Sequence, residues 1–304
     1  MRLSSLALAC CLAACVDDPD LDDLETSMID SELSASQWGS GVLVRATTYG
    51  EHHTGGDVQM VTFDNKLWAV YPSPVSDGLF NWATYESNRW SVAGDVIPMR
   101  SSGSFAITVY NNLLTIVYTT SAGYFYMITK PAERFAPWSA PVALTTTNLT
   151  TSGFGLAVLG GKLYVASSFR GDVVLSRLDT TTLTTIWSHD LENAYSPDVS
   201  LATVNGKLRA YWVDETITWG WTFPYGIYGE ISHNTVRELV ARPGSTYVVN
   251  NNIGMESVTA PVVTTCNGYA HLIHRGSGSN LWWASMPVTG TSFGTDYKLP
   301  HHSS

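Results

Sequence analysis

Two aspartates, Asp57 and Asp198, stand ten residues before the centre of a strand–turn–strand unit that recurs along the chain. Two carboxylates on opposite sides of a glycosidic bond can act as general acid and base. Asp57 and Asp198 are therefore the candidate catalytic pair if the protein is a glycoside hydrolase. The other three copies hold Gly103, Gly153 and Ala260 at this offset. An aspartate there equally suits a turn that caps the entry to a strand.

Other residues suit binding better than bond cleavage. The stretch His271-Leu-Ile-His-Arg-Gly-Ser-Gly-Ser-Asn-Leu-Trp-Trp-Ala-Ser285 places His274 and Arg275 at the end of one strand and Trp282 in the next. A second cluster lies in residues 214–226, DETITWGWTFPYG, where Trp219, Trp221, Phe223 and Tyr225 sit among Gly and Pro. We read this stretch as a long surface loop, and an exposed aromatic cluster on a loop marks a contact site. Glycine between the two tryptophans puts Trp219 and Trp221 on one side if the chain is extended. Tyr225 adds a hydroxyl, and Trp212 leads into the loop. The bland alternatives are that His274 and Arg275 bind carbonyls at a hairpin end, and that the loop folds back as a cap. His52-His53 and His301-His302 read as turns, and no Cys/His spacing suits zinc. No glycine loop follows a strand and opens a helix, so nothing calls for a nucleotide or other cofactor.

Elements that could position these residues repeat. VTFDNKLWAVY (61–71), ITVYNNLLTIV (107–117), LAVLGGKLYVAS (156–167), LATVNGKLRAYW (201–212) and VVTTCNGYAHLIH (262–274) each read as strand, tight turn, strand. Asn and Gly at the turns supply the positive φ that two-residue hairpins need. The units align on Leu67, Leu113, Leu163, Leu208 and Ala270. A third strand follows each hairpin, at 79–84, 124–129, 173–178, 227–232 and 281–286. A fourth opens at Trp90, Trp138, Trp187, Val236 and Phe293. Four strands in about 45–50 residues, repeated, predict an all-β chain folded as a β-propeller. Five four-stranded blades are expected. A sixth remains open, because Trp38-Gly-Ser-Gly-Val-Leu-Val resembles the fourth strand of a blade.

Residues 1–15, MRLSSLALACCLAAC, form a short apolar run behind Arg2, as a secretory signal does. Leu12-Ala-Ala-Cys15 resembles the bacterial lipobox, which implies lipidation of Cys15 and an exported, membrane-anchored protein at the outer membrane or cell surface. Residues 16–37 are an acidic tether, with eight acids and no base between 16 and 32. The propeller is assigned to 38–304. From Leu33 onward the chain has 15 basic and 18 acidic residues, a net of −3, which gives no footprint for nucleic acid. Membrane contact is expected through the lipid anchor only.

His274-Arg275-Gly276, Trp282, Pro300 and His302 together resemble a repeat of bacterial propeller lectins and sialidase-like proteins. Lectins of this type hold sugars between blades with Trp or Tyr stacking and polar hydrogen bonds. The resemblance implies a non-catalytic, carbohydrate-binding propeller with a glycan or glycoconjugate as partner. A propeller hydrolase and a protein-interaction scaffold are the alternatives. The sequence does not define an oligomeric state.

Overall fold

A computed structural model describes residues 58–299 apart from twelve short segments, with only the chain path given for 213–252. The described residues contain strands and turns and no helix. Among the described residues five antiparallel sheets follow one another along the chain, each with four strands in sequence order.

Blade 1 is β1 (Gln59–Phe63), β2 (Lys66–Pro72), β3 (Phe80–Glu86) and β4 (Arg89–Val92). Blade 2 is β5 (Phe105–Tyr110), β6 (Leu113–Thr119), β7 (Phe125–Lys130) and β8 (Val142–Ala143). Blade 3 is β9 (Gly155–Leu159), β10 (Lys162–Phe169), β11 (Asp172–Asp179) and β12 (Thr182–Asp190). Blade 4 is β13 (Val199–Val204), β14 (Lys207–Thr222), β15 (Gly226–Ala241) and β16 (Val248–Glu256). Blade 5 is β17 (Val262–Cys266), β18 (Tyr269–Arg275), β19 (Leu281–Pro287) and β20 (Tyr297–Lys298). The first strands of successive blades pack side by side. This is the β-propeller expected from the repeat.

Each blade opens with a two-residue hairpin. Asp64-Asn65, Asn111-Asn112, Gly160-Gly161, Asn205-Gly206 and Asn267-Gly268 all have positive φ. That backbone matches the twist of the flanking strands. The second strand after each turn carries the buried anchor at its second residue: Leu67, Leu114, Leu163, Leu208 and Ala270. Leu114 is fully buried, whereas Leu113 is only half-buried. The repeat in blade 2 is therefore one residue out from the expected alignment on Leu113. Neighbouring leucines concealed the shift, which exchanges the two faces of the strand.

The core lies between blades. Blade 1 meets blade 2 through Phe80 edge-on to Phe105, with centroids 4.9 Å apart. The side chain of Lys130 in blade 2 reaches back, its Nζ 5.2 Å from the Trp82 ring and 5.7 Å from the Trp138 ring. Its ammonium also donates to the Ala136 carbonyl. A fully buried lysine is rare, and here two indole faces and a carbonyl replace its water. Blades 2 and 3 share the Phe125–Phe154 contact at 5.1 Å. They also exchange backbone bonds from Thr145 N–H to Thr181 and from Leu183 N–H to Thr145, both 2.8 Å. Blades 4 and 5 are joined by buried Arg209, which donates to Met286 Sδ at 3.2 Å and to the Gly290 carbonyl at 3.3 Å.

Blade 4 departs from the expected pattern. Most of the expected loop 214–226 is strand: β14 runs on to Thr222 and pairs with β15 as far as Thr222↔Gly226, while 223–225 lie outside the described residues. The third strand is not confined to 227–232, and Val236-Arg237 belongs to it. The fourth strand is β16, at 248–256. Residues 1–57, including Trp38, lie outside the described residues.

Candidate functional site

On β18 the side chains alternate between the two faces of blade 5. Ala270 and Met286 pack on Ala202 and Val204 of blade 4. Leu272 and Ala284 pack on Tyr211 and Met255 of the same blade. His274 and its cross-strand partner Trp282 continue this row, at the end of the strand pair farthest from the β17–β18 turn. They therefore stand on the face of blade 5 turned toward blade 4.

His274 is buried, with 1% of its side chain accessible, and its Nε2 lies 3.0 Å from Oδ2 of Asp296. Asp296 precedes β20, whose Lys298 pairs with Trp282. His274 Nδ1 and Asp296 Oδ1 are both buried and have no hydrogen-bond partner among the described residues. If Nε2–H donates to the carboxylate, Nδ1 is left as an acceptor. Two buried acceptors without donors are costly unless a ligand or water supplies the donors.

Trp282 is half-buried and held closely by its neighbours. A Cβ at Gly276 would stand 2.5 Å from the Trp282 Nε1 atom, so a larger residue at 276 would displace the indole. Gly276 N–H donates to the Asn280 carbonyl at 3.0 Å, closing the turn between β18 and β19. The adjacent Trp283 faces the other way. It packs with Ile273, Leu281 and Leu299, and its Nε1–H donates to His271 Nδ1 at 3.2 Å. Burial lowers the His271 pKa from its usual value, and a backbone hydrogen bond with Cys266 opposes this. His271 is thus a structural, uncharged acceptor for Trp283.

Arg275 alternates to the face opposite His274, and its carbonyl accepts the Ser257 hydroxyl at 3.2 Å. Of the expected binding residues, the fold brings His274 and Trp282 together, with Arg275 next in the chain. Trp212 is fully buried among Leu208, Ala210 and residues of blade 3, so it is core and not a contact surface. Trp219 and Trp221 lie on the extended β14, at register positions opposite Gly229 and Ile227. Tyr225 lies outside the described residues. Asp296 was missed in the sequence because its partner is two strands away.

The aspartate pair does not assemble as a described site. Asp57 lies outside the described residues. The Asp198 carboxylate accepts the backbone N–H of Gly153 at 2.5 Å. No group of three His, Cys, Asp or Glu residues that could hold a metal occurs among the described residues.

No family model matches the chain. No curated protein matches it either. Solved structures do match. The six-bladed fucose-binding lectin of Aleuria aurantia superposes with a TM-score of 0.58 at 12% identity, covering 80% of this chain and 78% of that one. The lectin SapL1, solved with α-methyl fucoside, gives 0.55 at 12% identity, covering 79% and 80%. An α-L-arabinofuranosidase from Clostridium thermocellum gives 0.51 at 11% identity, covering 80% and 93%. At these identities the likeness establishes the fold, which hosts both sugar binding and sugar hydrolysis.

Proposed function

We propose that this propeller is a non-catalytic, carbohydrate-binding protein whose site lies where blade 5 faces blade 4. One observation carries the reading: His274 Nδ1 and Asp296 Oδ1, buried and without a hydrogen-bond partner among the described residues, lie in the same group as a half-buried indole, Trp282. A sugar supplies hydroxyl donors for such acceptors and an apolar ring face for the indole. Propeller lectins with this fold bind fucosides, which makes fucosides the first ligands to test.

The test is a glycan array on the intact protein, followed by calorimetric titration of the best ligand. Binding that disappears in His274→Ala and Trp282→Ala, with the fold intact, supports the site. Absence of any glycan ligand refutes the function, and binding indifferent to both changes refutes the site. The reading extends to an exported lipoprotein held at the surface by a lipidated Cys15 and the acidic segment 16–37. Those residues lie outside the described residues.

A further inference from the structure

We infer that residues 38–57 close the ring by packing between blade 5 and blade 1, the two end blades of the described chain. Along the row each blade anchors on the one before it. Leu114 of blade 2 shares a core with Trp68 of blade 1, and Leu163 of blade 3 with Val117 of blade 2. Leu208 of blade 4 shares one with Ala166 of blade 3, and Ala270 of blade 5 with Val204 of blade 4. Leu67 holds the same place in blade 1, where a closed ring of five would bring blade 5 against it. The face that blade 5 turns away from blade 4 forms a core of its own, Ile273, Leu281, Trp283 and Leu299, with no residue of blade 1. The first strands agree. They pack side by side from β1 through β5, β9 and β13 to β17, and no comparable packing among the described residues returns from β17 to β1.

Both end faces are nonetheless covered. Leu67 in blade 1 and Trp283 in blade 5 are each 1% exposed. Ala69 and Tyr71 lie on the Leu67 face by strand alternation, and Ala83 lies opposite Ala69; all three are buried. Ile273, opposite Trp283, is buried too. A sheet face is buried only when a further layer lies on it. This burial is that of a single chain with no neighbouring molecule, so the layer belongs to the same chain and not to a second copy.

Length selects the occupant. Within 58–299 the longest stretch outside the described path is 191–197, and beyond 299 only 300–304 remain. Blade 4, whose side chains are described only in part, is separated from this place by blade 5. Residues 1–57 are long enough, and within them 38–57 have the right character. Trp38-Gly-Ser-Gly-Val-Leu-Val44 resembles the fourth strand of a blade. It precedes Gln59 as Val92 precedes Phe105, Ala143 precedes Gly155 and Asp190 precedes Val199, each a fourth strand leading to the next first strand. If extended, Val42 and Val44 point to one side and Leu43 to the other, which suits a strand with a blade on each side. The acidic segment before it suits water. The Aleuria aurantia lectin, with the same fold, has six blades, so a further layer fits this architecture. The inference does not depend on the sugar site between blades 4 and 5.

The test is hydrogen–deuterium exchange of the full chain, read by mass spectrometry. Peptides covering 38–44 should exchange slowly, as the strands of the ring do, while the acidic residues 16–32 exchange at once. Val42→Asp/Val44→Asp should lose that protection and loosen β2 in blade 1 and β18 in blade 5, leaving β10 of blade 3 protected. The milder Val42→Ala/Val44→Ala should shift the same peptides in the same direction, so the result does not depend on the charged variant folding. Prompt exchange of 38–44 in the unmutated chain overturns the inference. Full protection of β2 and β18 in both variants also overturns it. So does a dimer whose dissociation exposes β2 and β18, which assigns the place to a second copy.

Discussion

Gly153 donates its backbone N–H to the carboxylate of Asp198, 2.5 Å away, across the boundary between blades 3 and 4. The Gly153 carbonyl accepts the N–H of Val199 at 3.1 Å. Gly153 and Asp198 occupy the same repeat position in successive blades, the position that Asp57 and Asp198 share as the candidate catalytic pair. The aspartate there holds one blade against the next.

Asp198→Ala should therefore destabilise the fold by about 1–3 kcal/mol, the cost of leaving a partly buried N–H without its acceptor. Gly153→Ala should also destabilise, because its Cβ would stand 2.7 Å from the same carboxylate oxygen. Urea unfolding of both variants checks this. Sugar affinity at blade 5 should not change in either.

The register correction in blade 2 predicts an asymmetry between adjacent leucines. Leu114→Ala should cost about 2–5 kcal/mol, as a fully buried leucine does. Leu113→Ala, at a half-buried position, should cost distinctly less. Paired denaturation curves decide it, and equal losses would restore Leu113 as the anchor.

Lys130 is a core residue despite its charge. Lys130→Ala removes an ammonium flanked by two indoles and leaves a cavity, with an expected cost of about 2–4 kcal/mol. Lys130→Met keeps most of the volume and should recover part of the loss. Thermal melts of the three proteins test this.

Histidine 271 should make the fold sensitive to acid. Its folded-state pKa is lowered by burial, so the unfolded chain takes up a proton more readily than the native one. Its contribution is fully present above the unfolded value of about 6.5 and is lost as pH falls from there toward the lowered native value. His271→Phe should flatten this part of the stability–pH curve, while leaving Trp283 Nε1–H without its acceptor at every pH. Urea midpoints at neutral and mildly acidic pH measure both effects.

Much of the fold was legible in the sequence because the signals are local. Asn and Gly at the hairpin turns have a direct conformational reason to be there, and the observed positive φ values follow from it. The errors also have physical causes. Leu113 and Leu114 are both apolar, so composition could not choose between two faces that are both covered. Gly220, Pro224 and Gly226 suggested a loop, yet the alternation Ile217, Trp219, Trp221 already matched an extended strand with one apolar face. Trp212 looked like part of an aromatic surface because its neighbours in sequence do, although strand alternation turns it into the blade 3 interface. The candidate site was half visible. His274 and Trp282 share one hairpin, but Asp296 is joined to His274 only by the return of a distant strand, which no short motif records.

The serial order of the blades bears on how the protein is made. Each sheet of the described residues contains only strands that are consecutive in the chain, so a blade has all its strand partners once its own segment is free to fold. Ordering entropy is met in small local instalments, and closure of distant loops is not needed until blades meet. The contacts between blades then run from newer chain to older: Asp198 onto Gly153, Thr203 Oγ1 onto the Val158 carbonyl at 2.9 Å, and Gly290 and Met286 onto Arg209. Each emerging blade therefore finds a finished template beside it. The fold suits assembly from one end of the chain to the other, with the latest-emerging end always the part still seeking a partner.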